Sequence, residues 1–485
     1  MKGRAMNTSI MAGLMAIVVV VLVMLASVPK TSAIPAFSRK YQTSCTTCHN
    51  NYPELNDFGE AFKKNGFKFP KDDETFVKEP PVLLGAKAQK QAFPEAVYPG
   101  EIPGFLPIAF RYSGNFNWNK KQPPDVIAQR GFTPRTDLFV PNTFTIISAG
   151  SFGPNLSFWL DDDISTGGSG ADGGLGDGYL KFNDLGHALG LPKNALNVRF
   201  GQFELDLPFT QARTIYPSDY DIYDQASSAG ALGTTNNPFT LGAPQRGIEL
   251  GGYPNNGNFT WSVAVVNGNN DSPAVRNTKD VYVRVSQRFN LERDPESRNA
   301  IQAAGPTGPR DHTSIRLGAF YYYGKNQLNF DGSVFPALPV GVFEEPFYRV
   351  GGDLRFKYRH LELYGVGQYG RDQNHVLNAT DTGVQRTTPV TFSGGFAGAN
   401  YWIYPWMIGY MRYDFVNSPT DFLNGVSQYN TRNRFSPGFQ ILVRANIKII
   451  GEYEHQWGQP FMNSTTGTTE FFHPHAFVTG IDYVF

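Results

Sequence analysis

Leu106-Pro107-Ile108-Ala109-Phe110-Arg111-Tyr112-Ser113-Gly114-Asn115-Phe116-Asn117-Trp118 is the stretch on which the fold turns. Leu106, Ile108, Phe110, Tyr112, Phe116 and Trp118 alternate with Ala109, Arg111, Ser113, Asn115 and Asn117. A two-residue period predicts a strand with one apolar and one polar face. A membrane barrel needs that division, because one face meets lipid and the other meets the lumen.

The same texture recurs to the end of the chain. Candidate strands fall near 106–118, 137–152, 155–164, 178–184, 195–203, 246–253, 258–267, 279–290, 311–324, 346–358, 361–369, 388–400, 402–415, 434–445, 446–456 and 475–485, about sixteen in all. Within 346–358, Tyr348, Val350, Leu354, Phe356 and Tyr358 share a face, and Asp353, Arg355 and Lys357 share the other, continued by Arg359. A soluble sandwich would show such a strand too. The end of the chain separates the two readings: Ile481, Tyr483 and Phe485 alternate up to a C-terminal phenylalanine, which resembles the assembly signal of outer-membrane barrels. Composition agrees, with 51 glycines, 39 phenylalanines, 24 tyrosines and only 17% charged residues. Pro254-Asn255-Asn256-Gly257 reads as a hairpin turn, and the Gly/Asn/Asp/Thr-rich stretches 161–177 and 213–245 read as surface loops.

The N-terminus reads as an export signal. Lys2 and Arg4 precede an apolar run from Ile10 to Ala26, and Thr31-Ser32-Ala33 offers a small-residue cleavage site. The run is long enough to serve as an uncleaved anchor instead. Either way the chain leaves the cytoplasm. Cleavage after Ala33 removes Lys2, Arg4 and Lys30 and no acid, so the balance of 42 basic and 42 acidic residues becomes a net charge of −3. A nucleic-acid partner would need a basic surplus. No second long apolar run follows, so any further crossing of the membrane is made by strands.

Between signal and barrel stands Cys45-Thr46-Thr47-Cys48-His49, which holds both cysteines of the chain. Cys-x-x-Cys-His is the attachment site of c-type haem: two thiols add to the haem vinyl groups, and the adjacent imidazole is held where it binds the iron. The other readings are a redox dithiol, a zinc half-site and a structural disulfide. A redox dithiol belongs in a βαβ pattern, and a structural zinc site wants four ligands; neither setting is present. The stretch from Tyr52 to Gly66 reads as a helix, with Pro53 in its first turn, early acids, late lysines and Gly66 to close it. Leu55, Phe58 and Phe62 fall on one face, which is expected to cover the haem, with Phe37, Tyr41, Phe67 and Phe69 completing the enclosure.

Ile34-Pro35-Ala36-Phe37-Ser38-Arg39-Lys40-Tyr41, the Cys45–His49 motif, Pro53-Glu54-Leu55-Asn56 and Phe58-Gly59-Glu60-Ala61-Phe62 together resemble the fused cytochrome-porin family of the bacterial outer membrane, whose best-known members are iron oxidases. The resemblance implies a mainly β fold: an antiparallel transmembrane barrel of about 16 strands, plugged by a small α-helical c-type cytochrome domain. It divides the chain into a signal peptide (1–33), a monohaem cytochrome domain (34–80), a linker or plug extension (81–105) and a porin-like barrel (106–485). It implies one covalent haem c on Cys45 and Cys48, with His49 as the proximal iron ligand. It also implies extracellular Fe(II) as electron donor, in the outer membrane of a Gram-negative-type bacterium. A single haem does not span an apolar band about 25 Å tall, so a periplasmic cytochrome or copper protein is expected to come up to it. The rival readings are an outer-membrane electron conduit for another donor or acceptor, and a porin whose haem domain is a regulatory plug. As an enzyme the chain would be an electron-transferring oxidoreductase.

The second axial ligand stays open. Residues 34–104 hold no histidine besides His49, and the methionines after the signal are Met407, Met411 and Met462. The choices are one of these, a barrel histidine (His187, His312, His360, His375, His455, His473 or His475), the amino group of Ile34 after cleavage, or an open or water-filled position. Glu54, Asp57, Glu60, Asp72, Asp73 and Glu74 carry oxygens suited to Fe(II), but they fit better the acid pattern of a helix start and a solvated linker. Lumen-facing Arg111, Asp161, Asp163, Arg355, Lys357, Glu452 and Glu454 are expected to anchor the plug. No catalytic triad, phosphate loop or dinucleotide motif appears.

Overall fold

A computed structural model describes residues 36–485, apart from 70–72, 86, 96–100, 154, 167–173, 211–212, 225–238, 255–256, 275, 292–312, 331–340, 373–378, 381–382, 385–389, 418–421, 424–425 and 428–431. The export signal, Ile34, Asp72, the central Asn255-Asn256 of the expected hairpin turn, His312 and His375 lie outside the described residues.

Sixteen antiparallel strands close into one barrel. They are β1 (Ile108–Asn119), β2 (Thr136–Ser151), β3 (Leu156–Thr166), β4 (Leu175–Phe182), β5 (Asn197–Phe203), β6 (Gln245–Gly252), β7 (Phe259–Val266) and β8 (Asp280–Asn290), followed by β9 (Ser314–Phe330), β10 (Gly341–Tyr358), β11 (Leu361–Asp372), β12 (Val390–Tyr404), β13 (Met407–Asn417), β14 (Arg432–Arg444), β15 (Ile447–Gln456) and β16 (His475–Val484). Each answers to one of the sixteen expected strands, with ends that differ by a few residues. Every strand pairs with its neighbour in sequence, and β16 closes on β1 with Ile481 opposite Gly114 and Val484 opposite Arg111. Phe485 completes the seam: its N–H donates to the Phe110 carbonyl at 2.9 Å and its carbonyl accepts from Phe110 N at 2.8 Å.

The alternation read from the sequence sets the two faces. Leu317, Tyr321, Val350, Leu354, Leu363, Phe415 and Ile481 project outward and are exposed, while Arg284, Asp353, Arg349, Asp372, Arg412, Glu452 and Asp482 project inward and are buried. An apolar exterior around a charged interior is the inverse of a water-soluble protein. A closed barrel satisfies every strand's backbone internally, which lets it cross hydrocarbon. The chain is therefore an outer-membrane β-barrel of the Gram-negative type, set in lipid. No described helix is long and apolar enough to cross a membrane. Short turns such as Tyr358 to Leu361, Tyr404 to Met407 and Arg444 to Ile447 gather at one end, together with the longer links Phe182 to Asn197 and Asn290 to Ser314, and most of the longer connections lie at the other; by the usual arrangement these are the periplasmic and extracellular ends.

Two expectations about loops are corrected. Residues 161–166 and 175–177 belong to β3 and β4, not to a surface loop, because polar Asp161 and Asp163 face the lumen within a ladder that continues through register shifts. The described parts of the connection between β5 and β6, expected at the surface, fold into the barrel. Leu205, Leu207, Ile215, Tyr216, Tyr220, Ile222, Tyr223, Phe239 and Leu241 are all buried there, packed with Phe396, Tyr364 and Tyr410 from the wall. The inward loop is tied down by polar contacts: Ser218 N donates to Glu452 Oε1 at 3.2 Å and Arg412 Nη2 donates to the Ser218 carbonyl at 2.9 Å. Tyr216 and Gln440 add hydrogen bonds to Asn400 and to the Ile215 carbonyl.

Candidate functional site

The N-terminal segment sits inside the barrel at the short-turn end. Helix α1 (Ala36–Tyr41) leads into a short 3-10 turn over Cys45–Thr47, a two-strand ladder of His49–Asn51 with Glu54–Leu55, and helix α2 (Asp57–Lys64). The expected helix from Tyr52 starts five residues late. Asn56 is its cap, with Oδ1 accepting from Gly59 N at 2.8 Å, so the turn at Tyr52-Pro53 stays outside it. Gly66, at φ +70, closes the helix as expected, and Phe67 N donates to the Phe62 carbonyl at 3.0 Å.

Polar contacts fix this segment to the wall. Asp57 pairs with Lys357 at 3.2 Å and Arg288 at 3.3 Å. Lys181 Nζ donates to the Lys64 carbonyl at 2.7 Å, and Lys68 Nζ to the Gly153 carbonyl at 2.8 Å. Lys448 donates to the Tyr52 carbonyl, and Arg111 lies over the Tyr52 ring. Of the expected anchors, Lys357 and Arg111 thus reach the plug. Arg355 pairs with Glu362 and acts through space on Glu54, Glu60 and Asp57 of the plug; Asp161 accepts from Trp159, Asp163 from Thr145, Glu452 holds the inward loop and Glu454 faces Arg434, contacts that stay within the wall or the loop. Lys448, Arg288 and Lys181 were not picked out from sequence, though each stands at an inward position of its strand.

Cys45, Cys48 and His49 open together on a cavity of about 750 Å³. That is within the range of roughly 300–1,000 Å³ typical of cofactor sites. Phe37, Tyr41, Leu55, Phe62, Phe67 and Phe69 line it from the plug, Trp159, Arg111 and Lys448 from the wall, and Arg213 to Pro217 from the inward loop. Phe58 is the exception among the expected enclosing residues. It is buried and stands edge-on to Phe69 at 5.0 Å, supporting the lining from behind.

The motif's own chemistry is legible in its hydrogen bonds. Both cysteines are free thiols, and burial raises both, Cys48 to about 12, so they are held as neutral S–H groups. A carbonyl only accepts, so His49 Nδ1 donates to the Pro53 carbonyl at 3.1 Å. This fixes the tautomer and leaves Nε2 as the lone-pair nitrogen. Burial lowers His49 to about 4, keeping the imidazole neutral as a metal ligand must be. Gly59 lets α2 lie directly on the motif: a Cβ there would run into the Cys48 carbonyl, which accepts from Asn56 N at 2.9 Å. Two adjacent thiols, a directed imidazole nitrogen and an aromatic enclosure are the donor set and setting that covalent haem requires.

The remaining candidates fall elsewhere. Met411 and Met462 are exposed on the outside, and none of Met407, Met411, Met462, His187, His360, His455, His473 and His475 lines the cavity. The acids near the motif are engaged structurally: Asp57 as above, Glu54 with Asn50, Glu60 with Lys64 and Asp73 with Tyr41. No cluster of three or more metal-ligating side chains occurs among the described residues.

The barrel defines the class as a porin-type outer-membrane protein. No family model matches the sequence, and no curated protein matches it. Solved structures with a similar path include an anion-selective porin from Comamonas acidovorans (11% identity, TM-score 0.49, covering 78% of this chain and 98% of that one). The outer membrane channel DcaP of Acinetobacter baumannii (13%, 0.46, 78% and 96%) and Salmonella typhi OmpF in complex with daunomycin (11%, 0.45, 79% and 98%) are others.

Proposed function

We propose that this barrel carries one haem c, bound through Cys45 and Cys48 with His49 as axial ligand, and works as an electron carrier of the outer membrane. The observation behind it is the convergence of both thiols and the His49 imidazole on one large aromatic-lined cavity inside the lumen. When bound, the haem would supply a one-electron store. The chain's own residues would attach it, direct His49 Nε2 at the iron and exclude bulk water. Residues 34–80 then form the haem domain, 81–105 an extension of it, and 106–485 the barrel.

The resemblance of Ile34–Tyr41, Cys45–His49, Pro53–Asn56 and Phe58–Phe62 to fused cytochrome-porins supports extracellular Fe(II) as donor. Oxidation of a metal ion at the outer membrane also leaves insoluble ferric product outside the cell. The plug's position at the short-turn end favours a periplasmic acceptor, a cytochrome or copper protein, approaching from below. The reaction is then oxidation of Fe(II) by one electron, with that electron delivered to the acceptor. A second reading is a porin with a haem-bearing regulatory plug. It is favoured by the barrel itself and by the loop between β5 and β6, which narrows the lumen as a constriction would.

The test is to mix oxidised, purified protein with Fe(II) without oxygen and follow the haem absorption bands. Rapid reduction is expected, and a Cys45→Ser/Cys48→Ser chain should carry no covalent haem and show no such bands. A haem reduced by dithionite but not by Fe(II) would turn the reading to another donor or to the regulated porin.

A further inference from the structure

Four cationic side chains reach the wall of the Cys45–Cys48–His49 cavity: Lys63, Arg111, Arg213 and Lys448. Three have counter-ions. Arg111 and Lys448 share Asp482 at 3.0 and 3.2 Å, and Arg213 pairs with Glu204 at 2.6 Å. The Lys63 ammonium makes no hydrogen bond or ion pair among the described residues. Glu60, one turn before it on α2, leans to Lys64 at 4.0 Å, and Asp177 Oδ1 accepts from Glu204 N at 2.7 Å. Burial lowers Lys63 to about 8, Arg213 pushes the same way, and Glu60, Asp177 and Glu204 compensate in part.

A half-buried ammonium without an ion-pair partner is costly, and so is a second cation beside it. An anion in the cavity between Lys63 and Arg213 would relieve both costs. The haem reading brings such groups into the cavity, since the porphyrin edge carries two propionate carboxylates. We propose that Lys63, with Arg213 beside it, is the anchor for a haem propionate. Because Lys63 stands on the plug and Arg213 on the inward loop, one carboxylate held by both would tie those two elements together around the cofactor. This assignment rests on the haem reading above.

The experiment uses the full-length, haem-loaded protein with Lys63→Gln, Lys63→Met and Lys63→Arg. Three readouts are taken: covalent haem per chain, the ferric/ferrous midpoint potential, and the propionate bending band in resonance Raman spectra. Lys63→Gln and Lys63→Met are expected to keep one covalent haem and the wild-type spin state. Their propionate band should shift, and their ferric/ferrous ratio at a fixed potential should rise roughly tenfold, about 59 mV for one electron, because a positive charge beside the haem has gone. Lys63→Arg should restore both. An unchanged band and potential in the neutral variants would overturn the assignment while leaving the haem reading intact. So would a change of spin state, which would make Lys63 an iron ligand instead. Wild-type chain with no covalent haem would overturn the haem reading and this assignment with it.

Discussion

Asp57 is the residue on which the seating of the plug depends most directly. Its carboxylate is mostly buried, at 12% side-chain exposure, between Lys357 and Arg288 at 13% and 6%. Burial opposes its ionisation, but Lys357, Arg288 and Arg316 more than offset this and hold the carboxyl well below the usual range. A depressed carboxyl stabilises the docked state fully above the unfolded value of about 4, and that contribution is lost as pH falls through the depressed value. Asp57→Asn should therefore cost about 3 kcal/mol of docking at neutral pH, since removing one partner leaves two buried cations unpaired. The variant should also lack the acid-side loss seen in wild type. Urea titration monitored by proteolysis of the 70–105 segment, repeated from pH 7 to pH 2, reads both effects; parallel titrations of the two proteins would show that Asp57 contributes nothing. The same scale carries a prediction about iron ligation. Met411 and Met462 are 51% and 48% exposed, so Met411→Leu and Met462→Leu should leave the haem absorption spectrum as in wild type. A shifted band in either would place that sulfur on the iron.

At the scale of elements, α2 is held against the Cys45–His49 motif by the absence of a side chain at Gly59. Adding a methyl there pushes on the Cys48 carbonyl, which is backbone and gives little. Overpacking of this kind costs typically 1–3 kcal/mol. Gly59→Ala is expected to lower the yield of covalent haem per chain and to broaden the haem bands, while far-UV circular dichroism stays that of an intact barrel. Full haem yield with sharp bands would show that α2 moves aside freely. This element also shows how far the sequence could be read. The strands were legible because lipid on one side and a polar lumen on the other impose a period of two on every one of them, as in Tyr348 to Lys357. Gly66 was legible as a helix stop because the left-handed position that closes a helix, here at φ +70, favours glycine. The start of α2 was not: Pro53 and Asn56 are both admissible start signals, and only the cap bond to Gly59 decides between them. The loop between β5 and β6 failed differently. Its apolar residues, Leu205, Ile215, Tyr216, Tyr220 and Ile222, follow no period, and a non-periodic run among Gly, Pro and Asn looks like surface until the partners across the lumen are known. The density of tyrosines from 216 to 223 was the signal available.

On the scale of the whole molecule, the barrel's lumen is entered from both ends, with a cavity of about 750 Å³ left between plug, wall and inward loop. The plug occupies the short-turn half through Asp57, Lys64, Lys68 and Tyr52, and the inward loop crosses above it through Tyr216, Ser218 and Asp221. An open porin of this strand number would leave an aqueous channel. Here the inward loop brings Tyr216, Tyr220 and Tyr223 into a buried aromatic cluster with Tyr364 and Phe396 of the wall, which narrows the lumen. Ions crossing such a region would lose their hydration without replacement, a cost of several kcal/mol per ion even after relaxation. The full chain in a planar bilayer is therefore expected to conduct far less than the same barrel lacking residues 34–80, which keeps the inward loop but loses the plug. The comparison separates the two functional readings as well. Low conductance from the haem-loaded chain whether its haem is reduced or oxidised fits an electron carrier, whose lumen has no need to open. Conductance that rises when the haem changes redox state would mean that the plug moves, and the barrel would then be a porin gated by its own cofactor.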